Sequence, residues 1–126
     1  MTDETPLLNQ QHLDMIFGLT TEEGRNLAAE LLDHVTGEGL ETLESLIAAV
    51  ERHDFEAAGN LAHRLKGMSS NLGMSRLQER FRETEHRAKE GADPPLSAVE
   101  IQELRALVHE SIEAYRAYTV SGDETA

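Results

Sequence analysis

Apolar residues recur three and four positions apart along most of the chain, which is the spacing of one face of an α-helix. Runs that alternate apolar and polar residues, as in a half-buried strand, do not extend for long. The pattern therefore predicts an all-α protein. The stripes are Leu27, Leu31 and Val35; Leu40, Leu43, Ile47 and Val50; Leu77, Phe81, Thr84 and Ala88; and Ile101, Leu104, Val108, Ser111, Tyr115 and Tyr118.

Residues that start or stop helices separate these stripes. Asp54 is a candidate N-cap, and Gly73 is a candidate stop. The glycines of "TGEG" at 36–39 predict a kink or an interruption, and the prolines of "EGADPP" at 90–95 end a helix. Three further pairs have the spacing of a capping box: Thr20 with Glu23, Ser75 with Gln78, and Ser97 with Glu100.

Long amphipathic helices with short connections predict an antiparallel up-down four-helix bundle over residues 7–119. The segment "NQQHLDMIFGL" predicts a short extra N-terminal helix, a lid that uses Leu13, Ile16 and Phe17. We expect residues 1–6 and the acidic tail 120–126 to be disordered.

The composition narrows the classes of function. A net charge of −13 argues against binding to nucleic acid or to an anionic membrane. The chain has no cysteine, no stretch of 18 apolar residues and no signal-peptide pattern, which together favour a cytoplasmic protein. Residues 52–89 nevertheless hold eight of the eleven basic residues and carry a net charge of +3. This segment could bind an anionic group.

The segment "GNLAHRLKGMSSNLGM" at 59–74 has a histidine on an unusual face. At about 100° per residue, His63 lies about 160° from the centre of the apolar stripe and should face solvent. Gly59 and Gly67 lie one turn before and one turn after it, and Lys66 and Ser70 share its face. The apolar stripe consists of Ala58, Leu61, Ala62, Leu65, Met68, Ser69 and Leu72.

This face has the properties of a nucleophilic site. Exposed glycine backbone lets a second macromolecule approach closely. A free imidazole has a pKa of about 6.5, so it is mostly neutral at pH 7 and can act as a nucleophile. The ammonium of Lys66 could balance the charge of a transferring phosphoryl group. We therefore expect His63 to be the reactive group, with Lys66 stabilising the phosphoryl charge.

The segment "AHRLKGMSSNLGMSRLQERFRETE" at 62–85 resembles the motif of histidine-containing phosphotransfer (HPt) domains. Only Met68 is bulkier than the small residue often found at its place, and it falls at the edge of the apolar stripe. The nine matching positions are His63, Lys66, Gly67, Ser69, Leu72, Gly73, Leu77, Phe81 and Glu85.

The resemblance implies a phosphorelay intermediate of the same four-helix fold. His63 would accept a phosphoryl group from a receiver-domain aspartate and pass it to another receiver. The implied partners are response-regulator receiver domains and a hybrid sensor histidine kinase. Mg²⁺ would be bound by the receiver, and this chain, a monomeric carrier and not an enzyme, would hold no metal or cofactor. Partner contacts are expected at Gly59, Arg64, Gly67 and Ser70.

Three other readings fit the sequence less well. A sensor-kinase dimerisation domain typically has an acidic residue directly after its histidine, and Arg64 stands there instead. A di-metal carboxylate bundle needs two inward Glu-x-x-His pairs, and only Glu83 with His86 has that spacing. The third is a helical interaction module that binds signalling proteins without being phosphorylated. The combination of His63, Lys66 and Gly67 favours phosphotransfer over it.

Overall fold

A computed structural model describes residues 5–18 and 21–125; the side chains of residues 16, 17 and 120–125 are outside the described set. Every regular element within these ranges is helical, which confirms the all-α prediction. The helices are α1 (Gln10–Phe17), α2 (Glu22–His34), α3 (Leu40–Glu51), α4 (Phe55–Asn71), α5 (Ser75–Lys89) and α6 (Ala98–Thr125), and a π-helical segment (Val35–Gly39) joins α2 directly to α3.

The helix starts follow the predicted caps in two cases. The Asp54 side chain accepts a hydrogen bond from the Ala57 amide at 3.2 Å and begins α4. At the start of α6, the Glu100 amide donates to Ser97 Oγ at 3.1 Å, and the Ser97 amide donates to Glu100 Oε1 at 3.0 Å. These reciprocal bonds form the predicted capping box.

The other two predicted capping boxes are wrong. Thr21, one residue later than predicted, caps α2, because its hydroxyl accepts from the Gly24 amide at 3.0 Å. Thr20 is outside the described residues. Met74 occupies the N-cap position of α5 without a side-chain bond, and Ser75 is already helical. Met74 is almost fully buried, so packing rather than a polar cap fixes this helix start.

The "TGEG" segment changes the hydrogen-bonding pattern of the helix without breaking it. Residues Val35–Gly39 form one π-helical turn, and the chain stays helical from α2 into α3. Gly39 lies close to α4, because an added β-carbon would lie 2.8 Å from the sulfur of Met68, which would have to shift. The π-turn therefore fits closely against the helix that carries His63.

Helix α6 extends into the C-terminal segment for which the sequence predicts disorder. Helix α6 continues to Thr125, and the disorder expected at 1–6 and 120–126 stays a prediction. No proline follows Pro95, and extending an existing helix adds one hydrogen bond for each residue fixed. Residues 1–4 and Ala126 are outside the described set. The carbonyl of Thr5 accepts a 2.8 Å hydrogen bond from Nε of Arg76.

The core lies between the apolar stripes of the long helices. On α4, Leu61 and Met68 are half-buried, and the rest of the predicted stripe is buried. Helix α4 packs mainly against α5 and α3, and α2 packs against α6. The Tyr115 hydroxyl on α6 donates to the Ala28 carbonyl on α2 at 3.0 Å. Leu13 of α1 is fully buried.

None of the described helices is long and apolar enough to cross a lipid bilayer.

Candidate functional site

His63 lies at the middle of α4 and faces solvent, as its helical angle predicts. Its side chain is 64% exposed, whereas Ala62 and Leu65 beside it in sequence belong to the core. The apolar stripe fixes the rotation of α4 in the fold, so the opposite face must point outward. An exposed imidazole is therefore held on a rigid helix.

A buried carboxylate holds one nitrogen of this imidazole. Glu85 on α5 is only 7% exposed, and its Oε2 lies 2.9 Å from His63 Nδ1. Lys66 Nζ donates to Oε1 of the same carboxylate at 2.8 Å, and Lys89 Nζ donates to Oε2 at 2.7 Å. The one carboxylate thus joins a histidine and two lysines from two helices.

The charge of Glu85 determines which imidazole nitrogen carries a proton. Hydrogen bonds from Lys66 and from Lys89 lower the pKa of the Glu85 carboxyl to about 2, although burial opposes this shift. Glu85 is therefore ionised at neutral pH and can only accept hydrogen bonds. His63 Nδ1 must then be the donor, which leaves the lone pair on Nε2. Nε2 is therefore the ring nitrogen that could act as a nucleophile.

The low pKa of Glu85 predicts a specific acid sensitivity. A carboxyl group with a pKa of 4.5 unfolded and about 2 folded contributes stability that is complete above pH 4.5. That contribution is lost as the pH falls from 4.5 towards 2. We expect Glu85→Gln to be less stable than wild type at pH 6, with the difference shrinking below pH 4.5. Urea unfolding of both proteins between pH 6 and pH 2 measures it.

Glu44→Gln is the matched control for this prediction. Glu44 forms an ion pair with Arg105, and both side chains are about half exposed. Exposed pairs of this kind contribute little to stability, so Glu44→Gln should unfold close to wild type at pH 6. A Glu85→Gln protein with the wild-type free energy of unfolding at pH 6 would contradict the assigned role of Glu85.

The two glycines around His63 lie in different environments. Gly67 is exposed, and no heavy atom lies within 4 Å of the position that a β-carbon would take. Gly59 is buried, and a β-carbon there would lie 3.6 Å from the β-carbon of Ala88 on α5. Four residues turn a helix by about 40° beyond a full turn, so Gly59 and Gly67 are rotated in opposite directions from His63. The prediction that Gly59 is exposed on the face of His63 is therefore wrong.

Lys66 and Ser70 are less exposed than the helical angles suggested. The Lys66 side chain is 27% exposed because it reaches across to Glu85 on α5. Ser70 is half-buried, and its carbonyl accepts from the Gly73 amide at 3.1 Å in the turn that ends α4. Gly73 has a φ of +65°, so it provides the left-handed backbone conformation at the predicted stop.

On its other side His63 borders an open groove of about 420 Å³, which we call the α2–α4 groove. Arg64 lies in this groove, where Nη2 is 3.5 Å from Oε1 of Glu38 on the π-helical segment. The groove is lined by Leu31, His34, Glu38, His63, Arg64, Gly67, Met68, Asn71 and Leu72.

Sequence reasoning placed Glu85 in the motif but gave it no role, and it missed Lys89 and Glu38. Glu85 and Lys89 are four residues apart on one helix, a spacing that brings opposite charges together. This spacing could have identified Lys89. The contact between Glu85 and His63 crosses between helices, and only the packing of α5 on α4 reveals it.

Within the described residues, no group of three or more histidine, aspartate or glutamate side chains could hold a metal ion. No curated protein sequence and no solved structure gives a significant match to the chain. A family model described as "Hpt domain" matches residues 30–117, well over half of the chain. The matched region contains His63, Lys66 and Glu85, and the chain belongs to the Hpt domain family, whose members carry phosphoryl groups in two-component phosphorelays and interact with receiver domains.

Proposed function

We propose that this chain is the histidine phosphotransfer protein of a multistep phosphorelay. His63 accepts a phosphoryl group from the aspartate of one receiver domain and passes it to the aspartate of another. The observation that carries this proposal is the 2.9 Å contact between His63 Nδ1 and the buried Glu85 carboxylate. That contact leaves Nε2 as the reactive nitrogen of an exposed ring.

The chemistry exchanges one bond to phosphorus for another. The lone pair of His63 Nε2 attacks the phosphorus of an aspartyl phosphate, so a P–N bond forms as the P–O bond to the aspartate breaks. The electron pair of the broken bond stays on the receiver carboxylate, and the proton on Nδ1 remains hydrogen-bonded to Glu85. Delivery to the second receiver is the reverse reaction.

The charges around Glu85 suit a phosphoryl group on His63. Lys66, Lys89 and the Glu85 carboxylate together carry a net charge of +1. The two ammonium groups remain close to the imidazole because the buried carboxylate binds both of them. A fixed positive charge stabilises the anionic phosphoryl group during transfer. Lys66 is the residue that we expect to contribute most, since only 27% of its side chain is exposed.

We also propose a fold, a phosphoryl donor, an oligomeric state and a cellular location for this protein. The long helices form an antiparallel up-down four-helix bundle to which α1 is added as a short extra helix. A hybrid sensor histidine kinase supplies the phosphoryl group through its receiver domain, and the chain acts as a monomer in the cytoplasm. It needs no cofactor of its own, because the receiver partner holds Mg²⁺ and supplies the transfer machinery.

The alternative is a non-catalytic interaction module that binds receiver domains without being phosphorylated. Such a module needs an exposed docking face but has no need to orient an imidazole. The hydrogen bond from His63 Nδ1 to a carboxylate that also binds two lysines is therefore better explained by phosphotransfer.

Incubation with a phosphorylated receiver domain tests the proposal. We expect the chain to gain one phosphoryl group that is lost in acid and survives alkali, as a phosphoramidate does. Phosphorus–nitrogen coupling in NMR spectra should place it on Nε2 of His63. Binding of the receiver without phosphoryl uptake would favour the interaction module, and uptake on an aspartate or serine would contradict the proposed site.

A further inference from the structure

Glu38 is the charged residue that the π-helical segment adds to the α2–α4 groove. It stands between Gly37 and Gly39, and its carboxylate lies 3.5 Å from Arg64 Nη2 and 3.4 Å from His34 Nδ1. Arg64 follows His63 directly in sequence, and all four side chains line the same groove. In the unmodified protein, therefore, Glu38 pairs with the guanidinium of Arg64, the residue that follows His63.

The contact between Glu38 and Arg64 should exchange readily for a stronger one. Their side chains are 54% and 58% exposed, and ion pairs at this exposure contribute little to stability. A phosphoryl group on His63 would bring a charge of about −1.5 to −2 to the edge of the groove. Guanidinium groups bind phosphoryl oxygens through two parallel hydrogen bonds, which is a stronger interaction than an exposed single contact with a carboxylate.

The open surface at Gly67 leaves a path for Arg64 to move from Glu38 towards His63. Gly67 lies one helical turn beyond both His63 and Arg64, at i+4 and i+3 respectively. No heavy atom lies within 4 Å of the position of its missing β-carbon, so the Arg64 side chain can pass over it. Lys66, by contrast, is bound to Glu85 on the α5 side of the histidine.

We propose that Glu38 holds Arg64 in the unmodified protein and that Arg64 moves to the phosphoryl group once His63 is phosphorylated. Arg64 then stabilises the phosphohistidine, and Glu38 lowers that stability by competing for the guanidinium. This inference rests on the proposed function and assigns a regulatory role to Glu38 at the same site.

The equilibrium constant for phosphoryl exchange with a receiver domain tests this inference. That constant compares free, separated proteins in both states, so it does not depend on how tightly they dock. We expect Arg64→Gln to shift it about fivefold towards the phosphorylated receiver, because one charged contact to phosphate is lost at an exposed site. Glu38→Gln should shift it about threefold towards the phosphohistidine by releasing Arg64. The double variant should match Arg64→Gln alone.

Glu44→Gln is the control, since it breaks a similarly exposed ion pair with Arg105 on another surface and should leave the equilibrium constant unchanged. An unchanged constant in Arg64→Gln would overturn the inference. An equal effect of Glu38→Gln with and without Arg64 would overturn it too, because Glu38 would then act by direct repulsion. Wild-type protein that takes up no phosphoryl group would refute the proposed function itself, and with it this inference.

Discussion

Replacing His63 with glutamine is expected to abolish phosphoryl uptake completely while the protein remains folded. Among the described side chains that bind Glu85, the imidazole of His63 is the one with a free lone pair at neutral pH, and glutamine cannot form the phosphoramidate. The side chain of His63 is 64% exposed, and Glu85 keeps its hydrogen bonds to Lys66 and Lys89. The free energy of unfolding should therefore change by no more than about 0.5 kcal/mol. Radiolabel transfer from a phosphorylated receiver and urea unfolding measure the two expected results.

His109→Gln is the matched control for this experiment, because His109 is also exposed but lies on α6. It should take up label at the wild-type rate. Label that persists in His63→Gln would show that another residue accepts the phosphoryl group. Loss of label together with loss of the fold would show instead that His63 has a structural role, which its exposure argues against.

The helical content and the direction of His63 could be predicted because both depend on one periodicity. The apolar stripe of α4 is wide enough to fix which face is buried, and His63 lies opposite it. The cap of α2 was misplaced because Thr20 and Thr21 are equally good N-cap residues at adjacent positions. Local sequence alone does not distinguish them.

The parts of the site that sequence reasoning misjudged all involve a second helix. Gly59 and Lys66 share a face with His63 on an isolated helix, but in the fold that side of α4 meets α5. Glu38 lies on the π-helical segment between α2 and α3 and lines a groove against α4. The projection of a single helix shows the direction in which a side chain points. It does not show which other helix packs on that side.

Substitutions of Gly67 and of Gly59 on α4 should have different effects on stability and on phosphotransfer. Gly67→Ala should raise the free energy of unfolding by up to about 1 kcal/mol, because alanine favours the helix and its methyl group would enter open space. The same methyl group lies one turn from His63, so it should slow phosphotransfer by hindering the approach of the receiver. Gly67→Gln should also fold, and we expect it to slow transfer more than about tenfold, a loss of roughly 1.4 kcal/mol in transition-state stabilisation.

Gly59→Ala is the control on the same helix. Its methyl group would meet Ala88 at an ordinary contact distance of 3.6 Å, at a buried position between α4 and α5. We expect this variant to fold and to transfer phosphoryl groups within about twofold of the wild-type rate, well below a 1.4 kcal/mol effect.

Rapid-quench measurement of transfer and urea unfolding should be made on all three variants. If Gly67→Gln transfers at the wild-type rate, the bare backbone at Gly67 does not serve partner approach. If Gly59→Ala slows transfer as much as Gly67→Ala does, the partner contacts the α5 side of His63 as well as the side of Gly67.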